Sequence, residues 1–171
     1  MKTPISKMLD LDAVKRWTMV NTTAPSTVAS HSFNVAVIGM AIWTKLHVKV
    51  GFSERDVCYH AIMHDRVEAY SGDLSTPVKK AMKAAGFDAN GSSYGAPEEV
   101  DPTEHVCALV KIADKIENWN FIRQYGVGDR ARVAERYCQT DLHDALNSAD
   151  EDLQQAAKKV LVEILRRDPS F

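Results

Sequence analysis

Apolar residues recur at helical spacing along almost the whole chain, and this pattern constrains the fold more than any other feature. In the stretch 26–47, for example, Val35, Ile38 and Ile42 are three or four residues apart and would lie on one face of an α-helix. Capping residues, glycines and prolines separate such stretches, and no segment alternates polar and apolar residues between hairpin turns. The pattern therefore predicts an all-α bundle of six to seven helices, built as a single domain over residues 1–171.

Caps and breaks set the expected bounds of the helices. Ser26 and Ser148 are predicted to begin the second and the last helix, and Thr76–Pro77 the fourth, with proline in its first turn. The stretch from Gly86 to Pro102 is rich in Gly, Ser, Asn and Pro, which predicts a mobile loop. The predicted helices cover residues 5–19, 26–47, 53–70, a stretch from 76 onward, 103–124, 130–147 and 148–167.

Charge and cysteine usage narrow the class of protein. The formal net charge of −2 gives no positive field for non-specific nucleic-acid binding. The cysteines are Cys58, Cys107 and Cys138, which form no CxxC pair and are typical of thiols in a reducing compartment. There is no secretory signal pattern, and the longest apolar run, 35–43, is about half of a bilayer span. We therefore expect a cytoplasmic protein without a nucleic-acid or membrane partner.

The adjacent pair His64-Asp65 stands out chemically, together with the separate residues His31 and Asp114. Three predicted helices would contribute two imidazoles and two carboxylates, a complete ligand set for one divalent metal. Imidazole suits Mn, Fe, Co, Ni and Zn, and carboxylates keep such a site able to hold water. A metal bound in this way can make water a nucleophile at neutral pH.

The residues alone leave other interpretations open. Asp114 lies on an apolar stripe of its predicted helix, where an unpaired carboxylate is costly unless a metal or a cation compensates it. It could instead lie at the surface and pair with Lys111 or Lys115, and His31 could be an ordinary capping or core histidine. His60 could extend the site, but an exposed or core role fits its position as well.

Five segments in a fixed order resemble the HD-domain phosphohydrolases, most closely the small 5'-deoxynucleotidase and deoxynucleotide triphosphohydrolase branch. The most specific is the Gly-Asp-Leu-x-Thr-Pro-Val-Lys stretch at 72–79, and the resemblance extends from residue 16 to residue 115. The segments are Arg16-Trp17, Ser30-His31-Ser32, His64-Asp65-Arg66-Val67-Glu68, Gly72 to Lys79, and Lys111-Ile112-Ala113-Asp114-Lys115. The resemblance implies that the bundle is a single HD domain.

The resemblance also implies that the metal ligands are His31, His64, Asp65 and Asp114. The expected cofactor is a divalent transition metal of the Co, Mn or Zn class, with Mg as a candidate when the substrate is a triphosphate. The implied assembly is a homo-oligomer, either a dimer or a hexamer built from dimers.

For the remaining site residues the resemblance implies acid/base, phosphate-binding and nucleoside-binding roles. Elementary chemistry agrees, since Arg16 can grip phosphate bidentately and Lys79 adds a point charge in the first turn of its helix. The implied acid/base residues are Glu68 and Asp73, and the implied substrate contacts are Arg16, Trp17, Thr76, Pro77 and Lys79.

The chain departs from the family pattern at two places. The deoxynucleotidases usually have Glu before the first metal histidine, where this chain has Ser30, and the connector between Lys79 and Asp114 is short. A compact chain of this length is more similar to the phage dATP triphosphohydrolases, which release deoxynucleoside and triphosphate. We therefore expect a deoxynucleotide as the small-molecule partner and, for a phage-encoded chain, the host cytoplasm as its location.

Three alternatives to the triphosphohydrolase remain. The first is a 5'-deoxynucleotidase that acts on deoxynucleoside 5'-monophosphates. The second is a non-catalytic, nucleotide-binding HD module, which would not need Glu68 and Asp73. The third is hydrolysis of a signalling nucleotide such as guanosine tetraphosphate, which the Arg16-Trp17 and Thr76-Pro77 pairs disfavour.

Overall fold

Helices account for all regular secondary structure in the computed structural model, which describes residues 4–48, 51–87 and 103–166. The helices are α1 (Pro4–Met8), α2 (Val28–Lys45), α3 (Glu54–Met63), α4 (Glu68–Ser71), α5 (Thr76–Ala84), α6 (Glu104–Tyr125), α7 (Asp129–Asn147) and α8 (Glu151–Arg166), with a 3₁₀ turn at Leu9–Asp12. The all-α prediction is confirmed. Most of the predicted 86–102 loop lies outside the described residues. None of the described helices is both long and apolar enough to span a membrane.

Helix α2 is the centre of the bundle and packs against α3, α6 and α8. Gly39 lies at the closest approach, because a Cβ there would be 3.0 Å from Val57 on α3 and 3.4 Å from Leu109 on α6. This close packing holds the first turn of α2 beside the middle of α6. It thereby brings His31 and Asp114, which are 83 positions apart in the chain, to the same place.

The predicted first helix over 5–19 is wrong. Helix α1 ends at Met8, a 3₁₀ turn follows, and Lys15 then forms an isolated antiparallel bridge with Thr27. The physical reason is tertiary, because Leu11 is buried in a small separate cluster with Val28 and Ala69 rather than on one face of a long helix. Arg16 and Trp17 therefore lie on an irregular segment that runs beside the start of α2.

The predicted third helix over 53–70 is also interrupted. Helix α3 ends at Met63, a run of turns covers 64–67, and the chain becomes helical again at Glu68. The Nδ1–H group of His64 donates a hydrogen bond to the carbonyl oxygen of Ala61 at 2.7 Å. The side chain therefore competes with the backbone N–H groups of the next turn for that acceptor. The predicted shared face of His60, His64 and Glu68 is consequently wrong.

Two predicted N-caps are displaced, one by one residue and the other by two. Thr27 rather than Ser26 caps α2, through a capping box with Ser30. Helix α8 begins at Glu151, and Asp150 accepts a hydrogen bond from the backbone of Leu153 at 2.9 Å, while Ser148 instead ends α7. The remaining predicted helix starts agree with the structure to within one residue.

Candidate metal centre

His31 lies in the first turn of α2 and has no exposed surface. Its Nδ1 is 2.5 Å from Oε2 of Glu117 on α6. Its Nε2 points the other way and lies 3.1 Å from Oδ1 of Asp114 and 3.6 Å from Oδ2 of Asp65. This buried Nε2 has no hydrogen bond of suitable geometry among the described residues.

His64 presents a second imidazole to the same point from the end of α3. Because its Nδ1 is held by the carbonyl of Ala61, its Nε2 faces Asp65 at 3.3 Å and Asp114 at 4.0 Å. This Nε2 is also buried, and no described residue offers it an aligned hydrogen bond. The two rings lie 5.3 Å apart, centroid to centroid.

Two buried imidazole nitrogens and two carboxylates therefore converge from three separate segments. Ligand atoms of His31, His64 and Asp65 lie within 4.8 Å of one another, and Asp114 Oδ1 faces both imidazoles. Unpartnered imidazole nitrogens beside carboxylate oxygens form a donor set that suits a divalent transition metal. The residues present fit such an ion, and their role as ligands stays a prediction.

The carboxylates strongly perturb the protonation of the metal-free cluster. Burial lowers the pKa of His31, but the neighbouring carboxylates of Asp114 and Glu117 outweigh it and raise the pKa to about 9. Burial likewise raises the pKa of the Asp114 carboxyl, yet His31 and Lys115 hold it well below its usual range. Without a metal the site is therefore a charged network in which a proton on His31 takes the place of a cation.

Asp114 has polar partners besides the imidazoles. Its Oδ2 is 3.0 Å from Nζ of Lys115, so the surface-type pairing considered from the sequence coexists with the buried contacts. Its Oδ1 accepts a hydrogen bond from Nδ2 of Asn118 at 2.6 Å. These contacts fix the direction in which the carboxylate presents its oxygens.

The irregular segment places Arg16 and Trp17 beside this network. Arg16 donates from Nη2 to Oδ1 of Asn118 at 2.8 Å, while its Nε and Nη1 are buried without a partner in the described part of the chain. Trp17 stacks on Phe121, with 6.1 Å between ring centroids and 10° between ring planes. Its backbone φ of +60° is a conformation that L-residues rarely adopt. Buried, unused guanidinium donors beside an aromatic face suit a phosphorylated, ring-bearing ligand.

Glu68 and Lys79 form an ion pair next to the cluster, with Nζ and Oε1 2.6 Å apart. Burial and the charges of Asp65 and Asp73 raise the pKa of Glu68 to about 7, although Lys79 lowers it. Burial lowers the pKa of Lys79, but the Glu68 carboxylate outweighs it and raises the pKa. The residue predicted to bind phosphate is thus paired with the residue predicted to transfer protons.

The other predicted site residues are less well defined. Asp73 lies between α4 and α5, close enough for its charge to act on Glu68 and Lys79. Thr76 and Pro77 begin α5, but their side chains fall outside what the structure describes. His60 packs edge-on against Tyr59, with 5.4 Å between ring centroids, and the metal-ligand cluster does not include it.

Two partners of the site were not predicted from the sequence. Glu117 follows Asp114 by three positions, so the helical period of α6 could have indicated that it lies near the face shared by Asp114 and Asn118. The carbonyl of Ala61 carries no sequence signal because it is a backbone group.

The comparisons with known proteins find relatives among the nucleotide hydrolases. The chain matches the family described as "5'-deoxynucleotidase YfbR-like" over residues 5–86. It is similar to a dATP triphosphohydrolase of Salmonella phage PMBT28, with 31% identity over 143 residues that cover 78% of this chain and 73% of that protein. A shorter match, to a 5'-deoxynucleotidase of Vibrio parahaemolyticus, has 32% identity over 68 residues, which is 39% of this chain and 35% of that protein.

Among solved structures, the chain is similar to the cyanophage S-2L HD phosphohydrolase DatZ, bound to dA and one catalytic Zn²⁺ ion. The TM-score is 0.77, and the match covers 98% of this chain and 99% of that chain at 20% identity. At this identity the likeness shows that the two proteins share a fold.

Proposed function

This chain belongs to the YfbR-like HD phosphohydrolases, and we propose that it is a dNTP triphosphohydrolase of the dATP type. The products would be deoxynucleoside and triphosphate. The observation that carries the proposal is that Nε2 of His31 and Nε2 of His64 face the same two carboxylates and have no aligned hydrogen bond within the part of the chain that the structure describes. The preference for a triphosphate is supported by the Salmonella phage relative, named a dATP triphosphohydrolase, which aligns with more than two thirds of this chain.

His31, His64, Asp65 and Asp114 would hold one divalent ion of the Co, Mn or Zn class. When bound, such an ion supplies Lewis-acid activation of water and neutralises charge on phosphate. The zinc ion of the cyanophage DatZ structure supports this class of metal. Mg²⁺ is a second candidate, brought in by a triphosphate substrate.

The other polar groups would bind the substrate and move protons. Arg16 has two buried guanidinium nitrogens with no partner in residues 4–48, 51–87 and 103–166, and these nitrogens are suited to phosphate oxygens. Trp17, half-buried and supported by Phe121, would form a wall against the base. Thr76 and Pro77, which begin α5, are proposed as further substrate contacts.

Glu68 is proposed as the acid/base group, assisted by Asp73. A carboxyl group whose pKa lies near neutrality can both accept and donate a proton under working conditions. Its Oε2 is buried and has no hydrogen-bond partner among the residues described, which leaves one oxygen to exchange a proton with water or the leaving group. Lys79 would hold Glu68 in place and contribute positive charge to phosphate binding.

The organisation of the protein is likewise a proposal. We place all of residues 1–171 in one HD domain. The assembly we propose is a homo-oligomer, a dimer or a hexamer, that works in the cytoplasm on the nucleotide pool.

A 5'-deoxynucleotidase that acts on monophosphates is the second candidate. The description of the matched family and the Vibrio parahaemolyticus relative favour it, although that relative aligns with a smaller part of this chain. The two activities differ in the length of phosphate chain that the site accepts. They therefore release different phosphate products.

The test is turnover of dAMP, dATP and the other deoxynucleotides with Co²⁺, Mn²⁺ or Zn²⁺, with the phosphate product identified. Triphosphate and deoxyadenosine from dATP would support the first candidate, and orthophosphate from dAMP the second. Asp65→Ala should abolish turnover, whereas Asp144→Ala, an exposed aspartate on α7, should leave it unchanged. If no nucleotide is turned over with any metal, the chain is a non-catalytic binding module and the proposal fails.

A further inference from the structure

We propose that Glu117 is a positioning residue that fixes the tautomer and orientation of His31, so that Nε2 of His31 is presented to the metal. The inference rests on the metal site of the proposed function and assigns a role to a residue outside the four proposed ligands. Glu117 on α6, His31 on α2 and the metal would then form a carboxylate–histidine–metal triad.

The contact between the two side chains is short and fully enclosed. Glu117 Oε2 lies 2.5 Å from Nδ1 of His31, and the exposed fractions of the two residues are 4% and 0%. The second oxygen, Oε1, accepts a hydrogen bond from Nδ2 of Asn34 at 3.3 Å. Asn34 lies one turn after His31 on α2, so both oxygens of the carboxylate are engaged by the same helix.

A buried carboxylate needs compensation, and the described contacts of Glu117 provide it only through the imidazole and one amide. An ionised carboxylate can only accept hydrogen bonds, so Nδ1 of His31 must carry the proton. In the neutral form of the imidazole, which is the form that binds a metal, the lone pair of Nε2 is then directed toward Asp65 and Asp114. Ligating histidines commonly need such a partner, because it fixes the ring and raises its basicity.

His64 provides an internal comparison within the same site. Its Nδ1 also donates, but to the neutral backbone carbonyl of Ala61 at 2.7 Å. The two imidazoles are therefore oriented alike and differ in the charge of their partner. Removing the Glu117 carboxylate should weaken metal binding through His31 and leave the orientation of His64 unchanged.

The experiment uses the full chain loaded with Co²⁺ alone. Co²⁺ affinity is measured by competition with a chelator, and the exchangeable imidazole N–H protons are observed as hyperfine-shifted signals in the proton NMR spectrum. The wild-type protein should show two such signals, one from each histidine. The variants are Glu117→Gln, which keeps the shape, and Glu117→Ala. Glu104→Gln, an exposed glutamate on the same helix, is the matched control.

Glu117→Ala should weaken Co²⁺ affinity about 10- to 100-fold, and Glu117→Gln by less, in line with other second partners of metal ligands. One N–H signal should move or vanish in both variants, while the other should stay in place. A merely structural role would lower the melting temperature of the metal-free protein but leave the affinity and both signals of the folded Glu117→Gln variant unchanged, and this result would overturn the inference. If the wild-type protein does not bind Co²⁺ at all, the proposed metal site itself fails and the inference fails with it.

Discussion

Arg16 donates a hydrogen bond from Nη2 to Oδ1 of Asn118 over 2.8 Å, joining residues 102 positions apart. The same amide donates from Nδ2 to Asp114 at 2.6 Å. The side chain of Asn118 thus contacts both Arg16, which is proposed to bind phosphate, and Asp114, which is proposed to bind the metal. Because the guanidinium can only donate and the carboxylate can only accept, the orientation of the amide between them is determined.

Asn118→Ala should raise KM for the nucleotide more than it lowers kcat, because Arg16 loses the contact that directs its free nitrogens. A hydrogen bond to a charged group contributes about 1.5–3 kcal/mol, which corresponds to a loss of kcat/KM of about 10- to 100-fold. Steady-state kinetics with dATP measures this split. Asn120→Ala, on the same helix but bonded to Gln124, is the control. An unchanged KM in Asn118→Ala would show that Arg16 does not depend on this amide.

Lys79→Met should raise the pKa of Glu68 above its value of about 7, because Lys79 is the neighbouring group that lowers it. If Glu68 acts in the ionised form, the acidic limb of the profile of kcat/KM against pH should move to higher pH. Lys83→Met, one turn further along α5 and exposed, should leave the profile in place. If the pH profile of Lys79→Met superposes on that of the wild type, Lys79 does not influence the group that transfers protons.

The sequence predicted the long helices well, because α2, α6, α7 and α8 are amphipathic elements with recognisable starts and breaks. It failed where tertiary contacts decide the backbone. Leu11 is apolar at a helical position, yet it is buried through a 3₁₀ turn against Val28. His64 fits a continuous helix by its position, yet its side chain takes the Ala61 carbonyl that the next turn would need.

The convergence of His31, His64, Asp65 and Asp114 could be predicted, because their types and order form a specific pattern. Their supporting partners could not, since the pattern says nothing about which face of α6 meets α2. Glu117 illustrates this, because a glutamate three positions after Asp114 is ordinary in sequence and acquires meaning only through its contact with His31.

Metal affinity should rise with pH between about 7 and about 9. In the metal-free protein His31 has a pKa of about 9, so a proton must leave before Nε2 can bind a metal. One displaced proton makes the apparent affinity rise about tenfold per pH unit below that pKa. Chelator competition with Co²⁺ at several pH values measures the slope. The control is His143→Gln, which changes an exposed histidine on α7. A flat dependence would mean that His31 is neutral before the metal binds.

The same pKa predicts how the stability of the metal-free protein depends on pH. Because the folded-state pKa is raised from 6.5 to about 9, His31 contributes stability fully below pH 6.5 and loses that contribution as the pH rises through 9. Thermal unfolding in the presence of a chelator should therefore show a melting temperature that falls between these limits. The increase on adding Co²⁺ should grow over the same interval. A melting temperature that rises over this interval would contradict the assignment.

Trp17 should contribute more to base selectivity than to stability, and two substitutions can separate the contributions. Its φ of +60° is unfavourable for any L-residue and acceptable for glycine, so Trp17→Gly should be more stable than Trp17→Ala by about 1 kcal/mol. Both variants remove the ring that stacks on Phe121 and should therefore lose discrimination between bases to a similar extent, about tenfold for a contact of about 1.4 kcal/mol. Denaturant unfolding and relative kcat/KM values for the four dNTPs measure the two effects. If the less stable of the two variants also loses more base selectivity, selectivity depends on stability and not on the ring itself. This result would assign Trp17 to packing and remove it from the nucleoside pocket.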